Sequence, residues 1–558
     1  MIRTSGIPSK DVSLYIEETG GENRVIAALH EETGRTPASV IKVLTTYASV
    51  LKLGFGYRWP TQFYMRGRLT HGLLEGDLLI KGFGDPTLGE KDLPEIVSHI
   101  RSKGITKITG NIVIDRTYFN VGDKDNSGFD QHTYSPYNAM PDAMMFNERV
   151  TTICITPRTH SVTKKIPDGS YKIVNHLHLV NKPCRGRYSW PSFKIDKSQA
   201  APTVLLRGPI SKRCGPRKLC QVITKPYKTF YYALKDALKK DHINVGGRLH
   251  LGKIPQNAQY LFTHYSQPLE KIVAHTAKKS DNLYARQILL SLGAKVYGAP
   301  STLKKGRMAV ASILRSQGAL SAGRLKIDNG CGLSRRSKIT ARLLAKMYDH
   351  AYRKYGKRWM ETLSIAGVDG TIRKRFRGTI VRKRAWMKTG TLKHVKNIGG
   401  YVRSRNGKIY TVVILVNTKK SHWKASQLQN NIIKWVVKYR GGAVQTEKSF
   451  PKSKPVSPKS KIFQKHKPLA SPSKTIRKNL YYIQVGSFSK TPDETYFSHL
   501  ADLKFSYIVK KEGVYKVLIG DYRSREEALR AMQKIKKELN PHAFIVTIMN
   551  SGSDKAVY

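Results

Sequence analysis

The sequence predicts an α+β protein: a domain of helices and antiparallel strands, split by a large β-rich insertion and followed by a small α+β domain. Three observations predict it. Strand-like apolar runs lie at both ends of the first 440 residues, and helical periodicity lies between them. Residues 61–262 are rich in short apolar runs and turn signals. From about 441 to 478 the composition shifts to Lys, Pro and Ser with few large apolar residues, a flexible cationic linker that leads to a compact ending.

Taken in order, Val12 to Ile16 and Val25 to Leu29 read as a β-hairpin. Pro37 then sits where a helix begins, and Ser39 and Lys42, three residues apart, share a face of it. Strands follow at 76–82, 108–115 and 203–208, with a helix at 227–243 in their midst. Helical periodicity returns at Leu269 to Leu292, Leu303 to Gln317 and Thr340 to Tyr355. Trp386 to Thr391, Ile398 to Arg403 and Ile409 to Val416 read as successive antiparallel strands, and helix Gln427 to Tyr439 closes the domain. The expected division is therefore 1–60 with 263–440, an insertion at 61–262, the linker at 441–478 and a last domain at 479–550. That domain reads as strand Tyr481 to Ser487, helix Asp493 to Leu503, strands Phe505 to Lys510 and Val514 to Ile519, helix Ser524 to Glu538 and strand Ala543 to Ile548. Ser524 and Glu527 have capping-box spacing.

The 558 residues carry a net charge of +61, which predicts affinity for polyanions such as anionic lipid surfaces or acidic envelope polymers. A basic surface that is merely solvated fits equally well. The cations run along the whole chain rather than on one aromatic-bearing module, so nucleic acid is not an expected partner. Five cysteines form no zinc-type pattern, and no metal or cofactor is expected. Cys214 and Cys220 flank a basic loop and either form a disulfide or remain thiols. No apolar run is long enough to span a membrane. No secretory signal precedes the first strand, so work outside the cytoplasm would imply a mature form or a start placed too late.

Three motifs in order carry the chemistry: Ser39-Val40-Ile41-Lys42, Ser280-Asp281-Asn282 and Lys388-Thr389-Gly390. A serine hydroxyl is a poor nucleophile until a base takes its proton, and no histidine lies in a Gly-x-Ser-x-Gly setting to do so. Lys42 can serve if burial and a neighbouring cation, here Lys388, push it neutral. Ser280 can relay the proton to a leaving amine, and Asn282 offers a donor and an acceptor to a peptide-like substrate. Lys388 and Thr389, with Gly390 and Thr391 beside them, can bind a terminal carboxylate on an edge strand. The backbone N–H groups of Ser39 and Thr391 could form an oxyanion hole. Asp369 and Arg335 are further candidates, against the alternative of a turn aspartate and a structural arginine.

With these motifs the chain resembles the penicillin-recognising serine enzymes, and within them the D-alanyl-D-alanine carboxypeptidase/endopeptidases of the penicillin-binding-protein-4 type. The long gap between Ser39 and Ser280 points to that branch, as do Arg35 to Ser39, Gly82 to Leu88, Gly110 to Asp115, Asp328 to Arg335 and Gly367 to Thr371. The resemblance covers about residues 10–440. It implies a penicillin-binding transpeptidase-like domain with a five-stranded antiparallel sheet, and acylation of Ser39 by a D-Ala-D-Ala peptide or a β-lactam. It also implies an acidic substrate contact near 138–147, where this chain has Phe146 and Asn147, so Asn147 is the substrate-binding candidate there. A β-lactamase or esterase on this scaffold, or a non-catalytic wall-binding scaffold, are the competing readings.

Tyr481 to Phe488 with Gly513 to Ala528 resembles a sporulation-related repeat (SPOR) domain. That resemblance implies a four-stranded antiparallel sheet that binds septal glycan strands stripped of stem peptides, with Gln484 and Ser487 as binding candidates. Together the two resemblances imply a cell-envelope, periplasmic location, and divisome proteins as candidate partners.

Overall fold

The structure is a computed structural model. It describes residues 1–441 apart from 22–23, 200 and 321–324, and in the C-terminal part residues 480–489, 500, 507–512, 514–522, 524–540 and 542–548. Two compact units are present, Met1–Glu447 and Lys448–Tyr558. Among the described residues no helix is long and apolar enough to cross a membrane.

The N-terminal hairpin joins strands from the far end of the first unit. Val12–Glu18 and Val25–Leu29 complete a six-stranded antiparallel sheet whose order is Ser364–Ile365, Ala385–Leu392, Val395–Arg403, Ile409–Asn417, Val12–Glu18, Val25–Leu29. The sixth strand, beyond the five expected, is the two-residue edge Ser364–Ile365 beside the motif strand. Both faces of the sheet are covered. Val413 and Leu415 pack with Leu44, Tyr47, Ile288 and Leu344 on one side. Val412, Ile414 and Val416 pack with Leu428, Ile432 and Val436 of helix Ala425–Lys438 on the other. Burial on both faces explains the unbroken apolar run at 412–416, where a half-exposed strand would alternate.

Helical periodicity from Leu269 to Leu292 suggested one helix, but the structure has two, Leu269–Lys278 and Asn282–Tyr297. Ser280 lies in the break with φ of +59°. Asp281 caps the second helix by accepting from the Tyr284 N–H at 2.9 Å. No Gly or Pro marks the break, and apolar residues continue on both sides of it.

The strands between 60 and 265 form separate sheets. Pro60–Thr70 and Leu73–Gly82 are the centre of a mixed seven-stranded sheet. Helices Leu93–Ser102 and Pro226–Lys240 pack on it through Ile96, Ile100, Phe230 and Leu234. Two three-stranded sheets share a core that includes Ile153, Val204, Leu206 and Leu219. There the disulfide joins Cys184 to Cys214, and not Cys214 to Cys220. Cys220 is carried away on strand Arg217–Gln221, exposed and opposite Thr152, which leaves Cys214 to meet the loop after strand Lys172–Val180.

The second unit has a four-stranded antiparallel sheet in the order Tyr507–Glu512, Val514–Tyr522, Leu480–Phe488, Phe544–Ile548. Helix Arg525–Glu538 covers one face, with Ala528 and Ile535 against Ile483, Val485, Val517 and Ile519. Ser524 Oγ accepts from the Glu527 N–H at 3.1 Å. The expected helix at 493–503, Gly513 and the linker beyond residue 441 lie outside the described residues, except Leu500.

Candidate active site

The three motifs meet at one place. Ser39 lies in the 3-10 turn Ala38–Ile41, which runs directly into helix Lys42–Leu53, so its hydroxyl and the lysine three residues on face the same way. Lys42 is wholly buried and Ser39 is partly exposed. Lys42 Nζ lies 2.9 Å from Ser39 Oγ, 2.7 Å from Asn282 Oδ1 and 2.5 Å from the Cys331 carbonyl oxygen.

Those three contacts decide what Lys42 can do. Asn282 Oδ1 and the Cys331 carbonyl can only accept, so they take two N–H bonds. The third position on the nitrogen faces Ser39 Oγ, which can donate as well as accept. A neutral Lys42 therefore aims its lone pair at the serine proton. Burial pushes its pKa down to about 8, with Cys331 and then Asp281 opposing and Arg286 adding the smallest push in the same direction. This leaves about one molecule in ten with a neutral Lys42 at pH 7, against about one in three thousand for an ordinary lysine.

Lys388 is also wholly buried. Its Nζ donates to Ser280 Oγ at 2.8 Å and to the Thr389 carbonyl at 2.7 Å. Burial first, and the charge of Lys42 second, hold it well below the usual lysine range. Thr389 donates its hydroxyl to Thr371 Oγ1 at 2.8 Å, and Thr391 is exposed on the same strand. Gly390 is a matter of space. A Cβ there would lie 2.7 Å from Pro37 O and 2.9 Å from the backbone nitrogens of Ser39 and Val40. The motif strand thus touches the Ser39 turn backbone to backbone.

Asn282 has a different position from the one expected. Its carbonyl is taken by Lys42 and one amide hydrogen by the Tyr137 carbonyl at 3.0 Å, so at most one N–H remains for a substrate. Asn147 is likewise engaged elsewhere: Oδ1 accepts from the Glu90 N–H at 3.0 Å, and its backbone N–H bonds Leu88 O. Within the 138–147 stretch Asp142 is buried against Arg116, and the carboxylate nearest the second motif lies one residue beyond that stretch. Glu148 accepts from Tyr284 OH at 3.1 Å and lies 3.9 Å from His275 Nε2, which is itself 3.7 Å from Asp281.

Asp369 braces the edge: it accepts from Lys278 Nζ at 2.6 Å and from the Ile365 N–H at 2.7 Å. Arg335 is exposed, with its guanidinium 5.6 Å from the Phe129 ring. In the second unit Gln484 donates to Ser487 Oγ at 3.3 Å on the bulged strand Leu480–Phe488.

Several residues of the site escaped the reading of the sequence. Asn397 donates to both Thr36 O and Pro37 O at 2.9 Å, fixing the approach to Ser39. Gly332, with φ of +81°, leaves room for Ala38 O, which a Cβ would meet at 1.9 Å. Asn397 is a polar residue inside an apolar strand, and that was its one signal. Gly332 lies within the 328–335 stretch already singled out, without a role attached.

Known proteins with similar sequence and fold identify the family. A family model described as D-Ala-D-Ala carboxypeptidase 3 (S13) matches residues 3–439, and a SPOR domain model matches residues 478–547. The D-alanyl-D-alanine carboxypeptidase DacB of Haemophilus influenzae is 26% identical over 425 residues, covering 74% of this chain and 87% of that protein. A D-alanyl-D-alanine carboxypeptidase of Actinomadura sp. (strain R39) is 26% identical over 421 residues, covering 73% and 77%. The crystal structure of penicillin-binding protein 4 (dacB) from Haemophilus influenzae superposes with a TM-score of 0.67 at 24% identity, covering 78% of this chain and 98% of that one, and so shares the fold. A buried lysine against a serine in the first motif, the second and third motifs closed around it, and a match over most of the chain lead to one assignment: the chain belongs to the D-Ala-D-Ala carboxypeptidase 3 (S13) family and carries a C-terminal SPOR domain.

Proposed function

We propose that Ser39 is the acylated nucleophile of a peptidase that removes the terminal D-Ala of peptidoglycan stem peptides, cleaves D-Ala cross-links, or does both. The observation that carries this reading is the 2.9 Å contact between Ser39 Oγ and a wholly buried Lys42 whose other partners can only accept. Lys42 takes the Ser39 proton as Oγ attacks the carbonyl carbon of the penultimate D-Ala. The oxyanion is held by the N–H groups of Ser39 and Thr391. The peptide C–N bond breaks, and Ser280, hydrogen-bonded to Lys388, delivers a proton to the departing amine. Water then releases the acyl group from Ser39. Thr389 and Thr391 receive the terminal carboxylate, and Asn282 acts mainly by holding Lys42. Glu148 is the acidic side chain for the amino end of a stem-peptide side chain.

Residues 1–60 and 263–440 form the peptidase domain in this reading, and 61–262 its insertion. The 441–478 segment tethers the SPOR domain. Gln484 and Ser487 contact denuded glycan, which raises local substrate concentration at the septal wall of the periplasm. β-Lactams acylate Ser39 as substrate mimics, and divisome proteins are candidate neighbours.

The test is intact-protein mass after incubation with benzylpenicillin, for wild type and Ser39→Ala. A stoichiometric adduct in wild type that is lost in Ser39→Ala supports the reading. A folded wild type that neither forms the adduct nor hydrolyses the drug refutes it. Rapid release of hydrolysed drug would favour a β-lactamase.

A further inference from the structure

Arg286 lies one helical turn after Asn282 on helix Asn282–Tyr297 and is 1% exposed. It donates to the carbonyls of Tyr137 and Ala139, on the insertion's turn Pro136–Asn138 and the residue after it. Tyr137 O is the same atom that accepts from Asn282. Among the described residues no carboxylate pairs with Arg286, and its Nη2 has no hydrogen-bond partner. A buried guanidinium without a counter-ion is expensive to keep, and a neutral side chain could pack there at less cost. A structural need alone explains it poorly.

The turn that Arg286 holds is itself fixed from the far side. Tyr137 OH donates to Asp130 Oδ2 at 2.9 Å, and Asn138 Nδ2 donates to Asp130 Oδ1 at 2.7 Å. From Asp130 a chain of contacts runs through the turn to Asn282, and from Asn282 Oδ1 to Lys42 Nζ. Resting on the reading of Lys42 as the base, we infer that Arg286 is a positioning residue for the reaction: its guanidinium locks the 137–139 carbonyls so that Asn282 keeps its carbonyl on Lys42. The groups facing Lys42 are Lys388 from the motif strand, Asp281 and Arg286 from the second motif's helix, and the Cys331 thiol from the 328–335 loop. Of these, Arg286 is a permanent cation, and it pushes Lys42 downward.

The experiment is the second-order rate of benzylpenicillin acylation against pH, followed by intact mass, for wild type, Arg286→Gln and Arg286→Lys, with thermal melts of each. Loss of the charge in Arg286→Gln should move the acid limb of the profile upward and slow acylation at pH 7 about threefold. Arg286→Lys keeps the charge but not the fork, so its limb should stay near the wild-type position while its plateau rate falls. It is also the variant that keeps the test open should Arg286→Gln not fold. Wild-type limbs and plateau rates in the variants, with only a lower melting temperature, would overturn the inference and leave Arg286 a structural tie. A wild type that forms no adduct would instead fail the assignment of Ser39, so the two failures are distinguishable.

Discussion

Gly390→Ala isolates the contact between the motif strand and the turn that carries Ser39, the proposed nucleophile. Gly390 does not occupy the left-handed region, so alanine is allowed by its backbone and only space opposes it. The new methyl would stand 2.7 Å from Pro37 O and 2.9 Å from Ser39 N and Val40 N, all backbone atoms that no rotamer change can move. Restoring ordinary contact needs a retreat of about 0.5–0.7 Å by the turn or the strand in a close-packed interior. Asn397, bonded to Thr36 O and Pro37 O, resists the first, and pairing with Val395–Arg403 resists the second. Overpacking of this kind costs about 1–3 kcal/mol. Misplacement approaching 1 Å at a reacting atom costs up to about a hundredfold in rate, so acylation by benzylpenicillin should slow by roughly 30–100-fold while the fold survives. Time courses of adduct mass, with a thermal melt alongside, measure both. An alanine variant that acylates within about threefold of wild type would show that the contact does not set the geometry of Ser39, and the argument from space would fail.

The pH profile of wild-type acylation should climb with pH and level off above about 8, because the reactive Lys42 is the neutral one; a rate that is flat from pH 6 to 9 would contradict this. The same shift makes stability rise with pH from about 8 toward 10.5, where the unfolded chain keeps a proton that the folded chain has lost, and denaturant melts across that window measure it. Cys184→Ser opens a loop with a sequence separation of 30. It should destabilise the pair of three-stranded sheets by about 3–4 kcal/mol, with acylation of Ser39 unchanged; insensitivity of the melt to reductant would argue against that. Glu148→Gln should lower kcat/KM for a stem peptide bearing a free side-chain amine while sparing benzylpenicillin, and equal losses on both would remove it from substrate recognition. The double variant Gln484→Ala/Ser487→Ala should reduce sedimentation with amidase-treated sacculi, and unchanged binding would place the glycan contact elsewhere on the sheet.

The elements legible in the sequence were those whose pattern is local. The hairpin at 12–29 and the strands around Lys388 announce themselves by apolar runs and turns, and the motif residues by chemistry that few other arrangements need. What escaped was set by distant partners. Helical periodicity runs through Ser280 because the helices on either side both feed one core, so nothing apolar marks the break. Cys220 is near Cys214 in sequence, but strand pairing with Thr151–Thr156 separates them and brings Cys184 in. Asn147 and Glu148 are adjacent, and both have left-handed backbone. Their side chains diverge, so a carboxylate one position beyond the expected stretch became the group near the second motif.

Two buried lysines in one site raise a question that their contacts answer. Two ammonium groups out of water repel each other and lose hydration, so the site cannot comfortably hold both charges. Each nitrogen has a different way out. Lys42 gives its N–H bonds to Asn282 and Cys331 and leaves one direction toward Ser39, the only partner able to return a proton. Lys388 has the Thr389 carbonyl as a fixed acceptor and Ser280 as an adaptable one. In the proposed reaction a proton moved from Ser39 to Lys42 raises the charge beside Lys388, and Lys388 relieves it by giving up a proton through Ser280. Serine hydroxyls stand at both lysines because a hydroxyl can reverse its role as the charge moves. Burial and, after it, the charge of Lys42 hold Lys388 down, so in the proposed reaction the second serine answers the same electrostatics that activate the first.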